Sequence, residues 1–149
     1  MMDSQRKAYL IEAAAEAQPY PPEAALAKAW LEANLESYTW LEWQKHVGPS
    51  VKLGPDATDT MRAIAEQASR KRVDLVAYNL GMATLIELKT HVDFAAVRQV
   101  AAYADLWRIA PIKPPVVALV VVGRTGDADI KETAAAQGVT VELLSPVLP

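Results

Sequence analysis

Two carboxylates and a lysine interrupt segments that otherwise have the composition of buried strands. Glu87 and Lys89 are two positions apart, so on a β-strand their side chains project from the same face. Asp74 lies between Val73 and Leu75 in the preceding apolar segment. If the two segments pair as a hairpin, Asp74 and Glu87 come close together. Two adjacent ionised carboxylates repel each other unless a proton or a cation lies between them.

A divalent cation would relieve that repulsion, and its chemistry suits the neighbouring lysine. Hard cations such as Mg²⁺ bind one or two carboxylates and keep several waters. Lys89 beside such a cation is placed to orient or deprotonate a water, or to stabilise charge on a phosphate. A Lewis acid, a nucleophilic water and a cation are the components of phosphodiester hydrolysis. The three residues therefore predict a metal-dependent hydrolytic site.

The segments on either side of this trio carry further polar candidates. Gln99 and Tyr103 are spaced i, i+4 on the following helix, so they share a face, which we expect to lie above the strand. Their polar tips suit hydrogen bonds to phosphate oxygens or to the lysine. A basic cluster leads directly into the strand of Asp74, where phosphate contacts would be useful. The predicted nucleic-acid contacts are Arg70, Lys71, Arg72 and, on the rim, His91.

The elements that position these residues follow from periodicity, prolines and glycines. A valine-rich segment at 116–122 is typical of a strand buried on both faces. Prolines at 19, 21 and 22 separate the first two helices, and Gly138 ends the last one. Helices are predicted over 4–18, 22–36, 59–69, 93–109 and 127–137, and strands over 38–47, 51–53, 73–78, 83–89, 116–122 and 139–144.

This order predicts an α/β fold with a mixed sheet flanked by helices in three layers. The core order is α-βββ-α-β-α-β, with an insertion at 54–70 and an extra N-terminal helix. We expect one domain over 1–149, in which residues 1–20 form a helical extension and 22–149 the core.

Composition excludes several classes of protein. The chain has 149 residues and no cysteine, which excludes a disulfide scaffold, thiolate zinc sites and a cysteine nucleophile, and fits a reducing compartment. The longest apolar run, 116–122, is too short to span a bilayer, and no charged-then-apolar leader opens the sequence. We therefore expect a cytoplasmic protein without a membrane partner.

The net charge of −3 conceals an uneven distribution. Residues 62–113 hold eight basic and five acidic side chains, and two of those acids are Asp74 and Glu87. If these two hold a divalent cation, the region presents a positive face to phosphate. The overall acidity therefore does not exclude a nucleic-acid partner.

The motifs together resemble a known family. Asp74, then Glu87-Leu88-Lys89, then the helix from Gln99 to Tyr103 resembles the PD-(D/E)xK nuclease superfamily, in particular its RecB-like branch with a QxxxY helix. The resemblance is carried by residues 73–103, and the element order extends it over most of the chain after residue 22. It differs in having Val73 where the motif has proline.

The resemblance implies a restriction-endonuclease-like fold and Mg²⁺- or Mn²⁺-dependent cleavage of DNA. It assigns metal binding to Asp74, Glu87 and the Leu88 carbonyl, and catalysis to Lys89 together with those carboxylates. Gln99 and Tyr103 would support the site. The family often adds a glutamate from the first core helix, for which Glu32 is preferred over Glu36 because it precedes the first strand by more than one turn.

Two alternatives remain open at the level of sequence. In the first, the chain keeps the fold without the activity, as a module that binds nucleic acid or a protein partner. In the second, it binds a nucleotide through the loop 123–126. The four tryptophans, Trp30, Trp40, Trp43 and Trp107, are more typical of core or interface anchors than of base-stacking platforms.

A homodimer is also expected if both strands of a duplex are cut, with Tyr9 and Leu10 of the first helix as an interface.

Overall fold

The computed structural model describes residues 3–17, 20–48, 53–69, 71–109 and 114–145. Five helices and seven strands alternate along these residues, and a short 3₁₀ helix follows the second helix. In chain order they are α1 (Ser4–Ala17), α2 (Pro21–Asn34), the 3₁₀ helix (Leu35–Ser37), β1 (Trp40–Val47), α3 (Asp59–Ser69), β2 (Lys71–Asn79), β3 (Met82–Leu88), β4 (His91–Val92), α4 (Phe94–Ile109), β5 (Val116–Gly123), β6 (Thr125–Gly126), α5 (Ile130–Ala136) and β7 (Thr140–Leu143).

The main sheet is five-stranded and mixed, with the order β1-β2-β3-β5-β7. β1, β2 and β3 are antiparallel neighbours, whereas β3, β5 and β7 run parallel. The β2–β3 hairpin turns at Leu80 and Gly81, both of which have positive φ, as a tight two-residue hairpin turn requires. α4 makes the crossover from β3 to β5, because parallel neighbours cannot be joined by a tight turn.

Helices cover both faces of this sheet. On one face α2 packs Leu26, Trp30 and Leu31 against Leu75 and Ile86 of the sheet, and α1 lies against α2. On the other face α4 and α5 pack against β3 and β5; the buried residues there include Val97, Val100, Trp107, Leu85, Val121 and Ala134. The predicted three-layer α/β arrangement, with its mixed sheet flanked by helices and its extra N-terminal helix, is confirmed.

A second, two-stranded sheet was not predicted. β4 pairs in parallel with β6 just beyond the end of β3. The backbone N–H groups of Arg124 and Thr125 both donate to the Thr90 carbonyl, at 2.9 and 3.1 Å. These two amides are therefore already engaged in hydrogen bonds within the fold.

Two smaller expectations differ from the structure. α5 begins at Ile130 rather than at 127, because Asp129 adopts a left-handed conformation with φ of 62° directly before it. The predicted return strand at 51–53 falls mostly outside the described residues, and Leu53 itself is not in a strand.

Among the described residues, no helix combines the length and the apolar composition that crossing a membrane requires.

Candidate active site

Pairing of β2 with β3 interlocks the two predicted carboxylates. The register places Leu75 opposite Ile86, which brings the preceding Asp74 beside the following Glu87. The backbone N–H of Asp74 donates to Glu87 Oε1 at 3.2 Å. The backbone N–H of Leu88 donates to Asp74 Oδ2 at 2.9 Å. Each carboxylate is thus oriented by a backbone amide, and the predicted proximity of Asp74 and Glu87 is present in the structure.

Gln44 on the neighbouring strand completes this side of the pair. The β1–β2 register runs from Trp43–Leu75 to Lys45–Val73 and leaves Gln44 out of the ladder. Gln44 has φ of 50°, which is uncommon for a non-glycine residue, and its Nε2 donates to Asp74 Oδ1 at 3.4 Å. Irregular strand positions with left-handed backbone recur at functional sites. No periodicity in the sequence signals this residue.

Burial raises the pKa of both carboxyl groups. Glu87 is only 7% exposed, and burial, followed by the charge of Asp74, raises its pKa to about 9. Burial also raises the pKa of Asp74, opposed by its hydrogen bonds to Leu88, Glu87 and Gln44. Both carboxyl groups therefore have raised pKa values, because burial and the proximity of a second carboxylate disfavour their ionised forms.

Glu23 is the glutamate of α2 whose charge acts on the pair. It lies half-buried in the first turn. Burial and then Asp74 raise its pKa, while Lys89 lowers it. It also contributes to the raised pKa of Glu87.

The sequence did contain a signal for Glu23. Leu26, Ala27 and Trp30 follow it at i+3, i+4 and i+7, and all three are buried, so Glu23 lies at the end of the inward face of α2.

The preferred candidate, Glu32, does not join this cluster. It lies nine positions after Glu23, which on a helix is half a turn out of phase and about 13 Å further along the axis. Glu32 is exposed, and its charge acts on Lys28. Glu36 is exposed on the 3₁₀ helix. Helical phase therefore places Glu23 and Glu32 on opposite sides of α2.

Lys89 directly follows β3 and is exposed. Its backbone N–H donates to the Val122 carbonyl at 2.9 Å, which fixes the chain at this point. Gly123 is required beside it, because a Cβ there would lie 2.5 Å from the Lys89 carbonyl oxygen. The lysine side chain thus extends from a tightly held backbone, and its charge reaches Glu23.

Gln99 and Tyr103 interact as their spacing predicted. Gln99 Nε2 donates to the Tyr103 hydroxyl. Tyr103 is buried against the sheet, and burial raises its pKa, opposed by Gln99 and reinforced by the charges of Glu87 and Asp74. The hydroxyl therefore lies within electrostatic reach of the carboxylates, on the α4 side.

The predicted phosphate contacts are distributed around this cluster. Lys71 and Arg72 are exposed at the start of β2, two to three residues before Asp74. Arg70 lies outside the described residues. His91 is exposed, but its two ring nitrogens already bond Thr125 Oγ1 at 2.8 Å and Asp127 Oδ1 at 2.7 Å. His91 thus ties β4 to the segment that follows β5.

Within the described part of the chain, no group of three or more His, Asp and Glu side chains is arranged to hold a metal ion. What the structure provides is a pair of adjacent carboxylates, each oriented by a backbone amide. Their oxygens are the hard donors that Mg²⁺ and Mn²⁺ accept. The donor set therefore fits a divalent cation that keeps most of its coordination sites for water. The Leu88 carbonyl stays a predicted third ligand.

Comparison with known proteins gives similarity at the level of chain arrangement. No family model matches the sequence, and no curated protein matches it. Three solved structures are similar. AF1548, a protein of unknown function, has a TM-score of 0.49 and 13% identity, covering 75% of this chain and 53% of its own. The EndoMS–dsDNA complex has a TM-score of 0.48 and 17% identity, covering 84% and 45%. A repair endonuclease from Pyrococcus abyssi has a TM-score of 0.48 and 17% identity, covering 87% and 50%. The chain thus spans about half the length of these structures.

Proposed function

We propose that the protein is a metal-dependent nuclease that hydrolyses DNA phosphodiester bonds. The observation that carries the proposal is the interlocked pair of Asp74 and Glu87, with the exposed Lys89 next to it at the end of β3. Two carboxylates forced together in a largely buried position are costly to folding. Such a cost is typical of a functional site, where a cation or a substrate supplies the missing charge.

Asp74 and Glu87 would hold the cation, with the Leu88 carbonyl as a further donor. When bound, Mg²⁺ or Mn²⁺ polarises the phosphoryl group and lowers the pKa of a coordinated water. The chain's own residues orient these groups. The amides of Asp74 and Leu88 fix one oxygen of each carboxylate, and Gln44 fixes the second oxygen of Asp74.

Lys89 would act on the reacting atoms. Its ammonium group is exposed, so it can reach a bound phosphate and stabilise the negative charge that develops in the transition state. The charges of Glu23 and Lys89 attract each other, so Glu23 would orient the Lys89 side chain. On the opposite side, the Gln99–Tyr103 pair would keep the Tyr103 hydroxyl directed at the carboxylates.

The charge around this site favours a nucleic acid as the substrate, and we propose DNA. Lys71 and Arg72 stand exposed on β2 immediately before Asp74, where they can contact the phosphates that flank the scissile one. We propose that a second copy of the chain is recruited when both strands of a duplex are cut, because one site cuts one strand.

Calorimetric titration with Mn²⁺ combined with a DNA cleavage assay tests this proposal. The wild-type protein should bind Mn²⁺ and cleave DNA in Mg²⁺ or Mn²⁺ but not in EDTA. An Asp74→Asn, Glu87→Gln variant should lose both the binding heat and cleavage, because neutral amides are poor ligands for these cations. If the wild type and the double variant give the same heat with Mn²⁺, or neither gives any, the proposal is contradicted. That result would favour a non-catalytic binding module.

A paired substitution on α2 tests the assignment of the helix glutamate. Glu23→Gln should lower the cleavage rate about tenfold, as expected for a residue that orients a group acting on the substrate. Glu32→Gln, on the opposite side of the same helix, should cleave at the wild-type rate. Both rates are measured in single-turnover assays at saturating Mg²⁺. Equal cleavage rates for the two variants would show that Glu23 has no role in the site.

A further inference from the structure

Gln44 of β1 is held in a backbone conformation that its side chain makes costly. Its φ of 50° lies in the left-handed region, which residues with a Cβ rarely occupy. It stands within a strand, between two paired positions of the β1–β2 ladder, and takes no part in the ladder itself. Backbone strain of this kind persists only where the surrounding structure imposes it. The strain falls beside the candidate active site, because the Gln44 side chain contacts Asp74.

The hydrogen bond from Gln44 to Asp74 does not account for this conformation. Nε2 donates to Asp74 Oδ1 at 3.4 Å, whereas N–H···O bonds are typically about 2.9 Å long. A contact this long returns less free energy than a left-handed residue with a side chain costs. Among the described residues, no donor reaches Oε1, the carbonyl oxygen of the same carboxamide. Gln44 therefore brings to the carboxylates an oxygen that the fold itself does not use.

That oxygen has the chemistry of a ligand for the proposed cation. Carboxamide oxygens, like carboxylates, are hard donors that suit Mg²⁺ and Mn²⁺. The last torsion of a glutamine side chain is broad, so the carboxamide can present either Nε2 or Oε1 to its neighbours. Asp74 and Gln44 are both half-buried, whereas Glu87 is buried. A hydrated cation therefore approaches the pair from the side where Asp74 meets Gln44.

We propose that Gln44 is a further ligand of the cation that Asp74 and Glu87 hold, and that it binds through Oε1. This deepens the proposed function, on which it rests, by adding a neutral oxygen from β1 to the two carboxylates. A carboxamide carries no charge, so it adds nothing to the repulsion between the carboxylates when the cation is absent. The left-handed backbone brings the side chain to Asp74, and the strain is retained for this ligand.

Mn²⁺ binding in the absence of DNA tests this proposal. Gln44→Gly removes the side chain and accepts the left-handed backbone, so β1 can keep its path. Calorimetric titration should show about tenfold weaker Mn²⁺ binding than in the wild type. Water-proton relaxation by the bound Mn²⁺ should show an additional coordinated water, because water replaces Oε1. Leu80→Gly changes the exposed left-handed residue of the β2–β3 turn, with φ of 51°, and should match the wild type in both measurements.

Gln44→Glu distinguishes a ligand from a hydrogen-bond donor. Glutamate keeps an oxygen at this position and adds a charge, so it should bind Mn²⁺ about tenfold more tightly than the wild type. The number of coordinated waters should stay the same. Glutamate cannot donate to Asp74 and repels it, so weaker Mn²⁺ binding by this variant would overturn the proposal. Gln44 would then act only by positioning Asp74.

The outcomes also separate this proposal from the proposed nuclease. If Mn²⁺ binding depends on Asp74 and Glu87 while Gln44→Gly keeps the wild-type hydration, the Gln44 ligand alone is overturned, whatever the affinity of the variant. Weaker binding with an additional water, in a protein that cleaves no DNA, would support the ligand and contradict the nuclease. A wild type that binds no Mn²⁺ would contradict both.

Discussion

Lys89→Ala is expected to lower DNA cleavage about a thousandfold while leaving Mn²⁺ binding intact. Lys89 is exposed two residues after Glu87 and is not one of the proposed ligands, so its removal should not disturb the metal. Loss of one group that stabilises transition-state charge typically costs a hundred- to thousandfold in rate. Calorimetry with Mn²⁺ and single-turnover cleavage on the same sample measure the two properties separately.

Because Mn²⁺ binding and DNA cleavage are measured separately, control variants can show that the effect is specific to Lys89. Lys131→Ala removes an exposed lysine from α5 and should change neither binding nor cleavage. Lys89→Arg keeps the charge and should retain part of the activity, because the guanidinium still reaches a phosphate oxygen. If Lys89→Ala cleaves within a few-fold of the wild type, the lysine has no role in the chemistry and the proposed arrangement of the site is wrong.

Local patterns were sufficient for the parts of the fold that depend on neighbouring segments. Apolar composition, the Gly81 turn and alternation predicted the β2–β3 hairpin, and the hairpin alone brings Asp74 beside Glu87. The i, i+4 spacing predicted that Gln99 and Tyr103 interact. In both cases the geometry is set by the hydrogen bonds of one hairpin or one helix, so the period of the sequence determines which side chains meet.

Features that depend on packing between distant segments were missed. Glu23 is brought to the carboxylates by the packing of α2 on the sheet; its spacing from Leu26 and Trp30 placed it on the buried face but did not show which part of the sheet that face covers. Gln44 reaches Asp74 because the backbone of Gln44 itself is left-handed, with φ of 50°, at the point of β1 opposite Asp74. Trp40 is exposed because β1 lies at the edge of the sheet. The order of strands in a sheet cannot be inferred from the composition of a single strand.

Glu87→Gln should stabilise the protein at pH 7 by about 2–3 kcal/mol and raise the melting temperature by about 5–10 °C. Burial and then the charge of Asp74 raise the pKa of Glu87 in the folded protein to about 9, compared with an ordinary value of 4.5. Between these values the folded chain holds more protons than the unfolded chain, so the free energy of unfolding of the wild type falls as the pH rises. Glutamine stays neutral throughout. Its amide can accept the Asp74 N–H with oxygen and donate to the Asp74 carboxylate with nitrogen, in place of the shared proton.

Thermal unfolding monitored by circular dichroism from pH 4 to pH 9 in EDTA measures this effect. The two proteins should have similar stability near pH 4, below both pKa values, and should diverge as the pH rises through the window up to about 9. Glu36→Gln, an exposed carboxylate on the 3₁₀ helix, should follow the wild-type curve. Added Mg²⁺ at pH 8 should stabilise the wild type and not Glu87→Gln, because the cation takes the place that the proton holds in its absence. A wild-type stability that does not change across this window would show that Glu87 is not held neutral by its partner, and the carboxylate pair would then provide no reason to expect a cation between its members.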